Sequence, residues 1–170
     1  PSAQTMPVDE AAAMLLRFTA KACARLAASY MVAGFVHGVL NTDNINVTGE
    51  SFDYGPWRFT PTWDPAFVAA YFDHQGLYSF GRQPQAIYWN VGQLAIALSS
   101  IAQAEGLSAA LEEFAPAYGA AMAERFCWRL GVEQQSDAAD RALVLAAEHF
   151  MRATGGAIDA FFADWAGGRL

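Results

Sequence analysis

The sequence has few charged residues and almost no lysine. Of its 170 residues only 16% are charged, Lys21 is the single lysine, and the formal net charge is −7. A protein that binds the phosphate backbone of nucleic acid needs clustered Lys and Arg. The ten basic residues here are scattered and form no run. The composition therefore argues against nucleic acid as a partner.

Long apolar runs and cysteine pairs are also scarce. No apolar stretch reaches the roughly 18 residues that a membrane span needs, so we expect no membrane partner. The N-terminus PSAQTMPVDE lacks the basic start and apolar core of a signal peptide, and the missing initiator Met suggests a processed or excised fragment. Cys23 and Cys127 lie in apolar helical patterns. We predict free, buried thiols there, as expected in a reducing, cytoplasmic compartment.

Apolar residues make up 54% of the sequence, and their helical spacing predicts a fold that is mainly α with a small β-hairpin, formed by residues 1–170 as a single domain. Glycine, serine, aspartate and proline positions suggest the helix ends. The predicted helices are Val8 to Ala33, ended by Gly34; Pro84 to about Ala104, closed by Gly106; Ser108 to about Leu130; Asp137 to Ala153; and Ala157 to Ala166.

The predicted hairpin pairs two short strands around a tight turn. Residues 45–47 and 51–53 alternate in polarity, and Thr48-Gly49-Glu50 between them has turn composition. The following segment, from Tyr54 to Arg82, is expected to be irregular apart from a short helix from Asp64 to Tyr71.

Three polar side chains flank this hairpin. Asn44 comes directly before the first strand and Asp53 ends the second, so a tight hairpin brings them together. An amide oxygen and a carboxylate form a hard oxygen site that suits Mg²⁺ or Mn²⁺, the ions that bridge nucleotide phosphates. The adjacent acid, Asp43, can orient a nucleophile, accept its proton or hold a metal-bound water.

The spacing of these residues is typical of a kinase active site. Kinases combine a catalytic loop H-x-D-x-x-x-x-N with a D-F-G that follows a hairpin. Here His37 and Asn44 keep the same separation, and Asp53-Tyr54-Gly55 takes the place of D-F-G. Val39, however, stands where the kinase aspartate would be, and valine cannot accept a proton. The pattern predicts a metal site like that of a kinase without the usual base.

Four motifs together resemble the selenoprotein O family, also called YdiU. They run in order along the chain as HGVLNTDN, DYGP, FDHQGLYSF with QP, and WN. They match the family patterns H-G-V-x-N-T-D-N, D-Y-G-P, S-D-x-x-G-R-Y-x-F-x-x-Q-P and W-N-L. The chain differs at Leu77 and Arg82, where the family usually has Arg and Asn.

The resemblance implies a protein-kinase-like C-terminal lobe and a specific activity. Members of the family are regarded as pseudokinases that bind ATP in a flipped orientation. They transfer AMP to Ser, Thr or Tyr hydroxyls of protein substrates. The family's metal-binding residues correspond to Asn44 and Asp53, which implies ATP with Mg²⁺ or Mn²⁺ as cofactors, and its proposed base corresponds to Asp43.

The part of a kinase that covers the nucleotide is expected to be absent from these residues. The sequence has no strand-borne Lys paired to a helix Glu and no glycine-rich phosphate loop. Two alternatives therefore stay open beside the adenylyltransferase. One is a non-catalytic kinase-like module for binding or assembly, and the other, which Val39 disfavours, is a small-molecule phosphotransferase.

Overall fold

A computed structural model describes residues 6–168 of the chain. It is mainly helical and contains a two-stranded antiparallel sheet. The elements are α1 (Val8–Ala33), β1 (Phe35–Val36), β2 (Arg58–Phe59), α2 (Gln83–Leu98), α3 (Ala104–Glu112), α4 (Phe114–Leu130), α5 (Asp137–Thr154) and α6 (Ile158–Asp164), with short 3₁₀ turns at Thr42–Asn44, Phe80–Arg82 and Ala166–Gly168.

Helix α1 runs through the centre of the structure, and its predicted ends are confirmed. Its sequence is rich in Ala and Leu, which favour helix. Gly34 ends it in the left-handed conformation, with φ 69°, and its N–H donates to the carbonyl of Met31 at 3.1 Å. A side chain with a Cβ would be strained in that conformation, so glycine suits this helix end.

Two clusters of buried side chains share α1. One cluster joins the end of α1 to α4, α5 and α6 around Phe80, Phe126 and Met151. The other joins the first part of α1 to α2 and α3 around Leu16 and Ile87. Cys23 and Cys127 are free and buried within the structure, as predicted. Full burial of a Leu, Ile, Phe or Met side chain, as in these two clusters, stabilises the fold by about 1.5–3 kcal/mol.

The sheet forms at residues other than those predicted. Phe35 and Val36 of β1 pair with Phe59 and Arg58 of β2. The predicted hairpin is reduced to one antiparallel bridge between Ile45 and Ser51, closed by a turn in which Gly49 N–H donates to Asn46. The chain reversal expected from the sequence is present, but its arms are too short to count as strands.

Several helix boundaries differ from prediction. Helix α3 begins at Ala104, so the prediction that Gly106 ends one helix and Ser108 starts the next is wrong, and both residues lie inside α3.

Two further differences have local reasons. The helix expected from Ser108 to Leu130 is divided at Glu113, because Pro116 has no N–H and its ring crowds the carbonyl four residues earlier. Helix α2 ends at Leu98, where the hydroxyls of Ser99 and Ser100 donate hydrogen bonds to the carbonyls of Ile96 and Ala97 in its last turn.

The segment before α2 is irregular, as expected, but the short helix predicted from Asp64 to Tyr71 is wrong. Asp64 instead accepts a hydrogen bond from the N–H of Ala66 and closes a turn. Among residues 6–168, no helix is long and apolar enough to cross a membrane.

Candidate active site

The loop that carries the predicted catalytic residues leaves β1 and crosses the start of α2. Two α2 side chains hold it in place. Gln83 accepts from the N–H of His37 at 3.0 Å and donates to the carbonyl of Phe35 at 2.8 Å. Asn90 donates to the carbonyl of Leu40 at 2.8 Å. Both residues lie in the motifs QP and WN, but the motifs alone do not indicate these two contacts.

His37 connects this loop to the residue before Asp53. Its Nε2 lies 2.9 Å from the carbonyl of Phe52, so this nitrogen carries the hydrogen and donates it. Its Nδ1 accepts from the N–H of Val39 at 3.4 Å. The ring is fully buried, and this burial lowers the pKa of His37, while the Phe52 carbonyl and the charge of Asp53 oppose the shift.

Asn44 is buried at the end of the 3₁₀ turn Thr42–Asn44. Its Nδ2 donates to the carbonyl of Val39 at 2.9 Å, which leaves Oδ1 as the atom available to a cation. The neighbouring Asp43 is exposed in the same turn. Val39 contributes its backbone N–H to His37 and its carbonyl to Asn44, and these two hydrogen bonds stabilise the loop.

Asp53 adopts an unusual backbone conformation. With φ 59° it is the single non-glycine residue with positive φ among residues 6–168. Asp53 is also exposed to solvent. Aspartate tolerates this region better than most residues, but at some cost in free energy. Such a conformation often marks a functional position.

The backbone pairs Asn44 with Phe52, the residue that precedes Asp53. The N–H of Phe52 donates to the carbonyl of Asn44 at 3.1 Å, one step from the bridge between Ile45 and Ser51. The chain therefore reverses direction between Asn44 and Asp53, as the hairpin prediction requires. Within residues 6–168 no group of three or more His, Cys, Asp or Glu could hold a metal ion. An amide and a carboxylate suit Mg²⁺, which keeps several waters and binds through few protein ligands plus phosphates.

A hydroxyl network that the sequence did not reveal supports the Asp53 side of the site. Tyr30 of α1 hydrogen-bonds Ser51, whose hydroxyl lies 3.0 Å from that of Tyr54. Tyr54 also donates to the carbonyl of Ser51 at 2.6 Å. Burial is the main cause that raises the pKa of Tyr30, so its phenol stays protonated. The network fixes the residues on both sides of Asp53.

A second contact supports the Asp43 side. The Tyr78 hydroxyl donates to Asn41, two residues before Asp43. Burial raises the pKa of Tyr78, and the charges of Asp73 and Asp43 add to the effect. Both oxygens of Asp73 accept backbone N–H groups, from Leu77 and Tyr78 at 2.8 Å. Asp73 therefore shapes its own loop.

The comparisons with known proteins agree with the motifs. The family model described as "Protein adenylyltransferase SelO" matches residues 4–167. The chain is 45% identical to the protein nucleotidyltransferase YdiU of Synechocystis sp. over 124 residues, 73% of this chain and 26% of that protein. It is 45% identical to that of Trichodesmium erythraeum over 126 residues, 74% of this chain and 27% of that protein.

A more distant relative gives the same result. The protein nucleotidyltransferase YdiU of Vibrio vulnificus is 36% identical over 114 residues, 67% of this chain and 23% of that protein. The chain thus spans about a quarter of the length of these relatives. It belongs to the SelO (YdiU) family.

Proposed function

We propose that this chain is the kinase-like C-terminal lobe of a protein adenylyltransferase, which transfers AMP from ATP to Ser, Thr or Tyr hydroxyls of protein substrates. The observation that carries the proposal is the hydrogen bond from the N–H of Phe52, the residue before Asp53, to the carbonyl of Asn44. Family membership supports the nucleotidyl-transfer chemistry.

Each residue has a defined task in this proposal. Asn44 Oδ1 and the Asp53 carboxylate would hold Mg²⁺ or Mn²⁺ on the phosphates of ATP. The ion, when bound, offsets the negative charge that develops during transfer. The acceptor oxygen forms a bond to the α-phosphorus, the bond to the leaving pyrophosphate breaks, and Asp43 takes the acceptor's proton. The half-buried Val39 leaves this role to Asp43.

The metal assignment is tested by Asp53→Ala in the complete product of the open reading frame that contains these residues. We expect metal-dependent AMP transfer to fall at least about 100-fold, because loss of one charge-stabilising group at an active site has this magnitude. The matched control is Asp164→Ala, which removes an exposed carboxylate at the end of α6 and should leave transfer unchanged. Full activity of Asp53→Ala would reject the assignment.

The reaction type is tested by the position of the label on ATP. Attack at the α-phosphorus transfers an α-phosphate label to the acceptor protein, whereas phosphorylation transfers a γ-label. We expect the α-label alone on the acceptor, and γ-label transfer would favour a phosphotransferase instead.

One observation favours the non-catalytic module as a second candidate. Lys21, the single lysine, lies on α1, where it forms an ion pair with Glu113 at 2.5 Å, and neither β1 nor β2 carries a lysine that could hold a nucleotide phosphate. Calorimetry of the 170-residue chain with Mg·ATP separates the two candidates. Micromolar affinity contradicts a module without nucleotide chemistry, and no heat of binding supports it.

A further inference from the structure

A cavity of about 320 Å³ opens beside the loop that follows β1. We call it the Tyr78–Trp89 cavity. Three parts of the chain form its wall, namely this loop, the irregular segment before α2, and α2 itself. The residues that matter for its chemistry are Asn41, Leu77, Tyr78, Arg82, Ala86 and Trp89.

The cavity adjoins Asp43, the proposed base. The Tyr78 hydroxyl donates to Asn41, two residues before Asp43. Burial raises the pKa of Tyr78 and the charge of the exposed Asp43 adds to this effect, so the Asp43 carboxylate acts close to the cavity. Neither Asn44 nor Asp53, the proposed metal ligands, is among the described residues that line it. The cavity is therefore better placed to receive the acceptor than the phosphates of ATP.

Apolar side chains form much of the wall. Leu77 and Trp89 are 49% and 58% exposed. Ala86, three residues before Trp89 on the same face of α2, adds only a methyl group. An apolar side chain of a partner would remove this surface from water, which favours binding. Ligand pockets usually measure about 300–1,000 Å³, so a volume near the lower limit suits one large side chain.

Arg82 is the one residue with a formal charge among the described residues of the wall. It is exposed, and its guanidinium donates to the carbonyl of Gly76 at 3.3 Å. No carboxylate in the part of the chain that the structure describes lies within ion-pair distance of it. Asp73 is not part of the wall, and its two oxygens accept the N–H groups of Leu77 and Tyr78. Arg82 thus keeps donors for a carboxylate that a partner brings.

We propose that the Tyr78–Trp89 cavity binds the acceptor protein next to the hydroxyl that receives AMP. A large apolar side chain of the acceptor fills the cavity, and a neighbouring carboxylate pairs with Arg82. This assignment rests on the proposed function and adds a substrate class, namely hydroxyls in segments that carry one apolar and one acidic residue. Arg82 determines specificity and has no part in the chemical step.

Peptide libraries test this with the complete product of the open reading frame and α-labelled ATP. Each peptide has one Ser, Thr or Tyr acceptor, and each flanking position is set in turn to Ala, Leu, Phe, Glu or Lys. At one position we expect kcat/KM to be about fivefold higher with Glu than with Lys, the upper value for an exposed ion pair. At another position Leu or Phe should exceed Ala. Equal transfer to all peptides would overturn the proposal.

Charge reversal tests the role of Arg82. Arg82→Glu should reverse the preference, so that Lys exceeds Glu at the same position. The change should lie in KM for the peptide, with kcat and KM for ATP unchanged. Arg141→Glu, the same change at an exposed position on α5, should keep the original preference. If Arg82→Glu instead raises KM for ATP and leaves the peptide preference as it was, the cavity serves the nucleotide and the proposal is wrong.

A second variant tests the cavity itself. Ala86→Phe fills it, so the preference for Leu or Phe over Ala should be lost. Ala97→Phe makes the same change at an exposed position of the same helix and should keep the preference. Thermal unfolding shows whether each variant is folded. A folded Ala86→Phe that retains the preference would also overturn the proposal.

The same assay separates failure of this assignment from failure of the proposed function. Transfer of the α-label without dependence on flanking residues, or to proteins but to none of the peptides, rejects the cavity as an acceptor site and leaves the adenylyltransferase intact. Absence of α-label on every peptide and protein rejects both.

Discussion

His37 is a buried histidine whose two ring nitrogens are both used in the neutral form. Nε2–H donates to Phe52, and Nδ1 accepts from Val39. Burial lowers the pKa of the folded-state ring. The unfolded ring, with a pKa of about 6.5, therefore binds a proton first as the pH falls. The stabilising contribution is complete above this value and is lost between about pH 6.5 and the lower folded-state pKa.

This linkage predicts the pH dependence of the free energy of unfolding. In urea titrations the wild-type chain should lose stability as the pH falls below about 6.5. His37→Gln should reduce the slope, whereas His149→Gln, which replaces an exposed histidine on α5, should preserve it. An unchanged slope in a folded His37→Gln would show that the ring does not titrate in this way.

Single residues also show which parts of the site can be predicted from sequence. Asn44 and Phe52 are close in sequence, so a local turn was enough to predict that the chain reverses between Asn44 and Asp53. Gln83 contacts His37 across 46 positions, and Asn90 contacts Leu40 across 50. Contacts over such separations depend on how the helices pack, and the packing cannot be predicted from a local sequence pattern.

At the scale of elements, the turn that carries the site packs directly against α1. Gly49 has φ 86°, and a Cβ at this position would lie 2.6 Å from the Cβ of Ala22 and 2.8 Å from its carbonyl carbon. Gly49→Ala should therefore lower the free energy of unfolding by about 2 kcal/mol, through backbone strain and overlap with a rigid helix.

Urea unfolding of Gly49→Ala and Gly92→Ala tests this packing. Gly92 lies within α2 with no atom within 4 Å of an added Cβ, so alanine there should be neutral or slightly stabilising. Equal stability of the two variants would mean that the turn does not contact α1 as described.

Gln83 joins the start of α2 to β1 and to the loop that follows β1. Gln83→Leu would leave the His37 N–H and the Phe35 carbonyl without partners. We expect a loss of about 2–4 kcal/mol in the free energy of unfolding, the cost of two unpaired buried groups. The exposed Gln85→Leu is the control in the same urea titration and should change little. A loss below about 1 kcal/mol for Gln83→Leu would contradict the coupling.

Elements with strong local signals were predictable, and short non-local ones were not. Helix α1 was correct at both ends because its composition and Gly34 are local signals. The two-residue strands β1 and β2 pair across more than twenty positions, without the alternation that predicts a strand. Pro116 is a local signal for the division between α3 and α4, but the predicted helix from Ser108 to Leu130 ran through it.

At the scale of the whole molecule, α1 is shared by both clusters of buried side chains and also carries Tyr30, which supports the Asp53 side of the site. The stability of the fold and the shape of the site therefore depend on one helix. The chain spans about a quarter of its curated relatives, so substrates and partners of the complete protein stay proposals.

The most direct measurement is a crystal structure of the protein with Mg²⁺ and a non-hydrolysable ATP analogue. The account predicts one ion about 2.1 Å from both Asn44 Oδ1 and an Asp53 oxygen, bridged to the phosphates. An ion bound by other residues, with the Asn44 and Asp53 side chains turned away from each other, would contradict it.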